Sequence, residues 1–226
     1  HLVGRAIRSR RDEAFIATKV SPQNAHPDDL VRSAEASLKK LQVETIDLYQ
    51  LHAPNPEVPI EETFGAMANL VQDGVVRHIG VSNFSPYELK QVERFLGKGV
   101  LVSNQIKYGL LDHVFGDEVV PYCEANGITV IAYSSLEQGI FRERLSARPN
   151  LAPVLEEICR DTGSTIGQLL LAWVVHRSAV VAIPKTNHVS RVEENSAAAD
   201  FVLTGKQYNA MTEAAGAPDF VEYWWR

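Results

Sequence analysis

Short apolar runs alternate with amphipathic segments along the whole chain. Six of these runs are rich in β-branched residues and predict strands, at Ala14–Val20, Ile46–His52, His78–Phe84, Leu101–Tyr108, Thr129–Leu136 and Val180–Thr186. Their hydrophobicity is nearly continuous, which is typical of parallel strands that are buried on both faces. Because helical segments lie between the runs, the alternation predicts an α/β protein with one domain over residues 1–226.

The segments between the runs carry helix signals. Leu30, Ala34, Leu38 and Leu41 recur at helical spacing behind Pro27, and proline suits the first turn of a helix. A Ser or Thr followed three residues later by Glu or Gln is the signature of a capping box, in which each side chain binds the backbone N–H of the other residue. Helix starts are predicted on this basis at Ser85–Glu88, Thr165–Gln168 and Thr204–Gln207.

Polar side chains collect where the predicted strands end. They are Lys19, His52, Ser82, Asn83, Gln105, Ser134, Lys185 and Thr186. Closed (β/α)8 barrels place their active sites at the C-terminal ends of the strands. The G-x-G-x-x-G turn that marks the nucleotide site of many open sheets is absent. We therefore predict a TIM barrel of which six of the eight βα units are visible and the first two strands are lacking.

Composition narrows the classes of function. The chain is 45% hydrophobic and has a net charge of −6, which gives no general attraction to nucleic acid or anionic membranes. No apolar run approaches the roughly 20 residues that span a bilayer. The two cysteines, Cys123 and Cys159, fall in helical patterns, so we predict neither a disulfide framework nor a metal site and expect a reducing, cytoplasmic location.

An anion site is predicted around the last strand-like run. Lys185 and Thr186 close that run, and Arg191 follows near the start of a helical pattern. The free N–H groups and the dipole of a helix N-terminus favour anions, and guanidinium groups bind phosphate oxygens in pairs. This grouping suits a phosphate monoester, such as one on a cofactor held at a strand end.

Six motifs resemble, in order and spacing, those of the aldo-keto reductases. They are TKV (18–20), IDLYQLH (46–52), GVSNF (80–84), NQIKY (104–108), AYSSL (132–136) and IPKTNHVSRVEEN (183–195). The resemblance covers nearly the whole chain. The six motifs together are highly specific for the family, although GVSNF alone would be weak evidence. It implies a TIM barrel that binds NADPH in an extended form and reduces aldehydes and ketones, or runs the reverse oxidation.

The resemblance also implies residue roles. Lys19 and His52 resemble the catalytic lysine and histidine, and His52 would also contact substrate. Ser82, Asn83 and Gln105 resemble the residues that bind the nicotinamide carboxamide, and Tyr133 the aromatic that stacks on the ring. The remaining cofactor residues are Ser134, Leu136, Gln138 and Gly139 along the pyrophosphate, Lys185, Thr186 and Arg191 at the 2′-phosphate, and Glu194 and Asn195 at the adenine.

Several of these residues could instead have a purely structural role. Lys19 could be an ordinary strand-end lysine that seeks solvent, and His52 a structural histidine held by loop carbonyls. Ser82 and Asn83 could serve only in a turn, since both residue types favour turns. Gln105 and Tyr133 could fill the barrel, while Arg191, Glu194 and Asn195 could form a solvated helix face.

The sequence departs from the family pattern in its catalytic set. The family's general acid is a tyrosine paired with an aspartate, and both would precede His1. The stretch Ile140–Pro149 is also short for the family's cofactor-covering loop. At the other end, residues 217–226 are predicted to form a C-terminal tail in which Trp224 could line the substrate pocket.

A second class of function stays open. The segment Ala53–Met67 is similar both to the reductases and to their relatives, the β subunits of potassium channels. Those proteins bind the cofactor in a regulatory role. The presence of His52 favours an enzyme acting on a small carbonyl or alcohol substrate, and an oligomer remains open.

Overall fold

A computed structural model describes residues 1–139 and 141–216, except for the side chains of Gln138 and Arg142. Contacts between Cα atoms divide the chain into two compact units. The first unit contains His1–Gln105 and Ala125–Ile128, and the second contains Ile106–Glu124 and the described residues from Thr129 onward. Within the described ranges, no helix combines the length and the apolar character needed to cross a membrane.

Six strands alternate with helices along the described part of the chain, as predicted. The strands are β1 (Ala17–Val20), β2 (Ile46–Leu51), β3 (Val76–Ser82), β4 (Leu101–Lys107), β5 (Thr129–Tyr133) and β6 (Val180–Ala182). In the first unit β1 pairs in parallel with β2, β2 with β3, and β3 with β4. In the second unit β5 pairs in parallel with β6. Every residue of β2 is buried, as expected of a strand covered on both faces.

The helices follow the predicted order. They are α1 (Leu2–Ile7), α2 (Pro27–Leu41), α3 (Ile60–Gln72), α4 (Pro86–Leu96), α5 (Val114–Asn126), α6 (Phe141–Ser146), α7 (Leu151–Thr162), α8 (Ile166–Val174), α9 (Val189–Ala197) and α10 (Gly205–Ala215). Short 3₁₀ segments lie at Arg11–Glu13, Pro22–Asn24, Glu137–Gly139 and Ala198–Asp200. The three predicted capping boxes are all present, with their serine or threonine at the N-cap of α4, α8 and α10.

Most strands end earlier than their hydrophobic runs. β3 ends at Ser82 because Asn83 has a φ of 64°, and β5 ends at Tyr133 because Ser134 has a φ of 58°. A positive φ lies outside the extended region, so the chain leaves the sheet at these two residues. Asn83 and Ser134 of the predicted site thus occupy turns that follow the strands, whereas Lys19, Ser82 and Gln105 lie within β1, β3 and β4, toward their C-terminal ends.

Each unit has its own apolar core. In the first unit it includes Val20, Leu30, Ala34, Ile46, Leu48, Phe64, Met67, Ile79 and Leu89. In the second unit it includes Val119, Val130, Leu155, Leu169, Leu170, Trp173 and Met211. Trp173 packs against Tyr108 and Tyr208, and its indole N–H donates to Thr212 Oγ1 at 2.9 Å. This bond gives the indole N–H, which is buried together with the ring, a hydrogen-bond partner.

A buried carboxylate ties the starts of the first strands together. Asp47, which is only 1% exposed, accepts hydrogen bonds from Arg11 at 2.8 Å, Arg77 at 2.7 Å and the backbone N–H of Ile16 at 2.7 Å. Charge-assisted bonds of this kind compensate the removal of a carboxylate from water. Asp47 therefore fixes the entry into β1 from the beginning of β2.

Candidate active site

Lys19 lies near the end of β1 with its side chain half-buried. Its ammonium donates a hydrogen bond to the side-chain carbonyl of Gln105, which is 5% exposed and belongs to β4. Burial lowers the pKa of Lys19 below its usual value. This is the direction that desolvation gives to a cation, because water stabilises the charge better than the protein interior does. The Lys19 ammonium is thus directed to Gln105, and its side chain is only partly exposed to solvent.

His52 directly follows β2, and a backbone hydrogen bond joins it to the end of the neighbouring strand β1. Its N–H donates to the carbonyl oxygen of Val20 at 2.9 Å, which places it beside Lys19 at the ends of adjacent strands. Burial lowers the pKa of His52, and the positive charge of Lys19 lowers it further. A neutral imidazole at neutral pH follows, with one ring nitrogen able to donate a hydrogen bond and the other able to accept one.

Ser82 and Asn83 form the turn after β3. The Ser82 hydroxyl donates to the backbone carbonyl of Gln105 at 2.8 Å, and the Asn83 backbone N–H donates to the same oxygen at 2.9 Å. The Asn83 side-chain amide donates to Ser82 Oγ at 3.1 Å and to the carbonyl of His52 at 3.1 Å. The turn is therefore joined to β4 on one side and to the end of β2 on the other.

Through the backbone of Val20, these contacts close into a ring that joins five predicted site residues: Lys19, His52, Ser82, Asn83 and Gln105. We call this set the strand-end ring. It runs from the Lys19 side chain to Gln105, from Gln105 through Ser82 and Asn83 to His52, and back to the strand of Lys19 through Val20. All five predicted site residues of the first unit are thus brought together.

The predicted pyrophosphate residues form a turn after β5 in the second unit. Tyr133 ends β5 and accepts a bond on its carbonyl oxygen from the Tyr108 N–H at 3.3 Å. Ser134 and Gly139 both have positive φ, at 58° and 91°, and Leu136 lies half-buried between them. Gln138 belongs to the same turn, but its side chain lies outside the described part of the chain.

Glu137, which the sequence did not single out, anchors this turn. Its side chain is buried and forms an ion pair with Arg144 of α6. Arg144 also donates to the carbonyl oxygen of Leu111 at 3.2 Å, so it joins the turn after β5 to the loop after β4. Burial raises the pKa of Glu137, and the nearby Arg144 opposes that shift.

The residues predicted at the phosphate and adenine end follow β6. Lys185, Thr186 and Asn195 line a groove of about 950 Å³ in the second unit. Its other wall is apolar and is formed by Leu171, Val175, Val180, Ile183 and Val192 among others. Thr186 Oγ1 accepts the His188 N–H at 3.1 Å, which shapes the turn into α9. An apolar lining beside polar groups suits a purine ring and its phosphate.

Arg191 and Glu194 are placed differently from each other. Arg191 is exposed in the first turn of α9, and neither it nor Lys185 forms an ion pair within the described residues. Glu194 is half-buried and accepts a hydrogen bond from the Thr165 hydroxyl at 2.6 Å, while its carbonyl oxygen accepts one from Gln168. The capping box of α8 therefore also holds α9.

Sequence reasoning assigned no role to Asn104, Glu137 or Arg144. Asn104 stands next to Gln105 in β4, and an amide within a strand that the sequence predicts to be buried is itself a signal of a specific hydrogen-bond partner. Glu137 and Arg144 carry no comparable signal, because their spacing crosses from a 3₁₀ turn into the next helix. Trp224 and the predicted tail 217–226 lie outside the described residues.

Comparison with known proteins decides the family. The sequence profile of the aldo/keto reductase family matches residues 1–215. The chain belongs to this family. It is 32% identical over 218 residues to the methylglyoxal reductase YeaE of Escherichia coli, with 96% of this chain and 75% of that protein covered.

Solved structures of the family share the fold. A thermostable aldo-keto reductase in complex with the inhibitor epalrestat has a TM-score of 0.87 and 37% identity, covering 94% of this chain and 76% of its own. An aldo/keto reductase from Klebsiella pneumoniae was solved with NADP and acetate. It has a TM-score of 0.86 and 33% identity, and the match covers 98% of this chain and 77% of that structure's chain. The predicted fold class, a (β/α)8 barrel with six strands in this sequence, is confirmed.

Proposed function

We propose that this aldo-keto reductase is an NADPH-dependent oxidoreductase that transfers hydride between nicotinamide and a small aldehyde, ketone or sugar-type carbonyl. The observation that carries the proposal is the strand-end ring. It brings Lys19 and His52 to one place together with the amides of Asn83 and Gln105. Lys19 takes part in this ring through its ammonium, and His52 through its backbone, which sets its position beside Lys19.

The cofactor assignment is supported by the chemistry of the residues present. A nicotinamide carboxamide needs both donors and acceptors, which the side chains of Ser82, Asn83 and Gln105 supply. The exposed cations Lys185 and Arg191 suit a 2′-phosphate, because neither is neutralised by a carboxylate among the described residues. Glu194 and Asn195 would contact the adenine, and Tyr133, Ser134, Leu136, Gln138 and Gly139 would line the ring and the pyrophosphate. NADPH supplies the hydride when it is bound.

The remaining chemistry falls to the protein. Negative charge develops on the carbonyl oxygen as hydride reaches the carbon, so a hydrogen-bond or proton donor must face that oxygen. We propose that a tyrosine which would precede His1 is the acid. A tyrosine with an ordinary pKa of about 10 is a weak acid at neutral pH, and the ammonium of Lys19 would lower that pKa by stabilising the phenolate.

His52 would orient the substrate. Burial and Lys19 keep its pKa low, so the ring stays neutral at neutral pH and does not add a second positive charge. Its ring N–H can donate to the carbonyl oxygen. The bond from Asn83 to the His52 carbonyl fixes the backbone at this position, so that the ring is presented from a rigid strand end.

A spectrophotometric assay tests the proposal. Purified full-length protein, including the segment that would precede His1, is expected to oxidise NADPH in the presence of a small aldehyde such as methylglyoxal, the substrate named for the related enzyme of Escherichia coli. Lys19→Met and His52→Ala should remove this activity while leaving NADPH binding nearly unchanged. Protein that binds NADPH but turns over no aldehyde, ketone or sugar alcohol would instead support the regulatory role of a potassium-channel β-like subunit.

A further inference from the structure

We propose that Asn104 is a positioning residue for the nicotinamide end of the cofactor. Its side chain holds the backbone of Phe84 and thereby sets the direction in which the Ser82–Asn83 turn presents its polar groups. The inference rests on the proposed function, because it assigns Ser82 and Asn83 to the carboxamide.

Asn104 forms a two-point contact with one residue. It has no exposed surface, and its side-chain NH₂ group donates to the Phe84 carbonyl oxygen at 2.8 Å. Its side-chain oxygen accepts the Phe84 backbone N–H at 3.4 Å. An asparagine amide therefore satisfies both backbone groups of a single residue, as a neighbouring strand would do.

The contact lies where strand pairing stops. Ser82 is still in register with Gln105, and the Asn83 N–H still reaches the Gln105 carbonyl at 2.9 Å. The φ of 64° at Asn83 then turns the chain out of the sheet, so Phe84 has no strand partner on this side. The Asn104 side chain takes that place. The left-handed turn at Asn83 is thereby fixed from both ends, by the sheet before it and by Asn104 after it.

The Asn104 side chain lies on the face of the sheet opposite to that of the Ser103 and Gln105 side chains. Successive side chains of a strand point to opposite faces. The residues on either side share the other face: Ser103 donates to Gln50 at 3.4 Å, and Gln105 accepts from Lys19. Asn104 therefore reaches the predicted cofactor site only through Phe84 and the turn. This separates it from the residues proposed to touch the cofactor.

Asparagine is required because the contact needs one donor and one acceptor. Asn104→Asp keeps the size and the acceptor but places a carboxylate oxygen against the Phe84 carbonyl. Asn104→Leu keeps the size and removes both bonds. In each case Phe84 is left with an unsatisfied buried group, and the turn loses its second support.

Binding of two ligands separates positioning from general damage. NADPH contacts both ends of the predicted site, whereas 2′,5′-ADP carries only the adenosine end and its 2′-phosphate. We expect Asn104→Asp and Asn104→Leu to weaken NADPH binding by roughly tenfold or more and to lower kcat. Binding of 2′,5′-ADP should stay within about twofold of the value for the unchanged protein.

Thr63→Val is the matched control. Thr63 is equally buried and also donates to a single backbone carbonyl, that of Ala25 at 3.0 Å. It should lower thermal stability without changing the ratio of the two binding constants. Equal losses of NADPH and 2′,5′-ADP binding in the Asn104 variants, or an unchanged NADPH affinity in variants that fold, would overturn the proposal. Failure of the unchanged protein to bind either ligand would instead reject the NADPH-dependent function.

Discussion

The ammonium of Lys19 donates to the side-chain carbonyl of Gln105, although 86 positions separate the two residues in the sequence. The bond joins the residue proposed to activate the acid with one proposed to hold the cofactor. Lys19 is consequently oriented by the strand-end ring even before any ligand enters, and its lowered pKa reflects this burial.

Lys19→Met is therefore expected to affect chemistry more than binding. Without the ammonium, the tyrosine pKa would rise toward its ordinary value, and kcat for aldehyde reduction should fall by at least about 100-fold. The affinity for NADPH, measured by fluorescence titration, should change only a few-fold. Lys39→Met, an exposed lysine of α2, serves as the control. A Lys19→Met protein with normal kcat would remove Lys19 from the mechanism.

The lowered pKa of His52 predicts a pH dependence of stability. Because the folded-state pKa lies below the ordinary value of 6.5, the unfolded chain binds more protons in the interval between the two. Stability should thus rise with pH through this interval, be complete above about pH 6.5, and decline as the pH falls below it. His52→Gln should reduce the slope of Tm against pH below about pH 6.5.

Arg191→Ala tests the choice of cofactor. If Arg191 binds the 2′-phosphate, its loss should weaken NADPH by about ten- to a hundredfold and leave NADH nearly unchanged, since charge-assisted bonds of this type contribute about 1.5 to 3 kcal/mol. Arg160→Ala, at an exposed position of α7, provides the comparison. Equal losses for both cofactors would refute the assignment of Arg191. The effect should also shrink at high salt, because exposed charges are screened.

Asp47 should matter for stability and not for turnover. Asp47→Ala removes a buried carboxylate from two arginines and a backbone N–H, and we expect a loss of about 2 to 4 kcal/mol in urea unfolding. Arg77→Ala should lose less than about 1 kcal/mol, because the Arg77 side chain is 61% exposed and can return to water. Both variants should keep a normal kcat at urea concentrations well below the midpoint of their unfolding. A large loss of kcat in folded Asp47→Ala would give this residue a role that its position does not explain.

The sequence predicted the succession of elements well because that information is local. Runs of β-branched residues located all six strands, and three capping boxes located the starts of α4, α8 and α10. Strand ends were less accurate. Asn83 and Ser134 look like strand residues in the hydrophobic pattern, and only their positive φ shows that the chain has already turned.

Side-chain partnerships were harder to predict than elements. Lys19 and Gln105 were both expected near the site, but nothing in the sequence specifies that one donates to the other. Asn104 and Arg144 were missed for the same reason: their partners, Phe84 and Leu111, lie 20 and 33 positions away. Such contacts depend on how two strands or loops are aligned in space, which periodicity and capping signals do not encode.

The strand-end ring relies on main-chain oxygen atoms at three of its links, those of Val20, His52 and Gln105. Every amino acid supplies a carbonyl oxygen, so substitutions cannot remove these acceptors. Insertions and deletions can. Adding or deleting one residue within β2 or β4 would exchange the two faces of the strand and shift each oxygen away from its donor. These three backbone links should therefore survive side-chain substitution, unlike the bond from Lys19, which needs the Gln105 amide, yet they should be intolerant of any change in strand length.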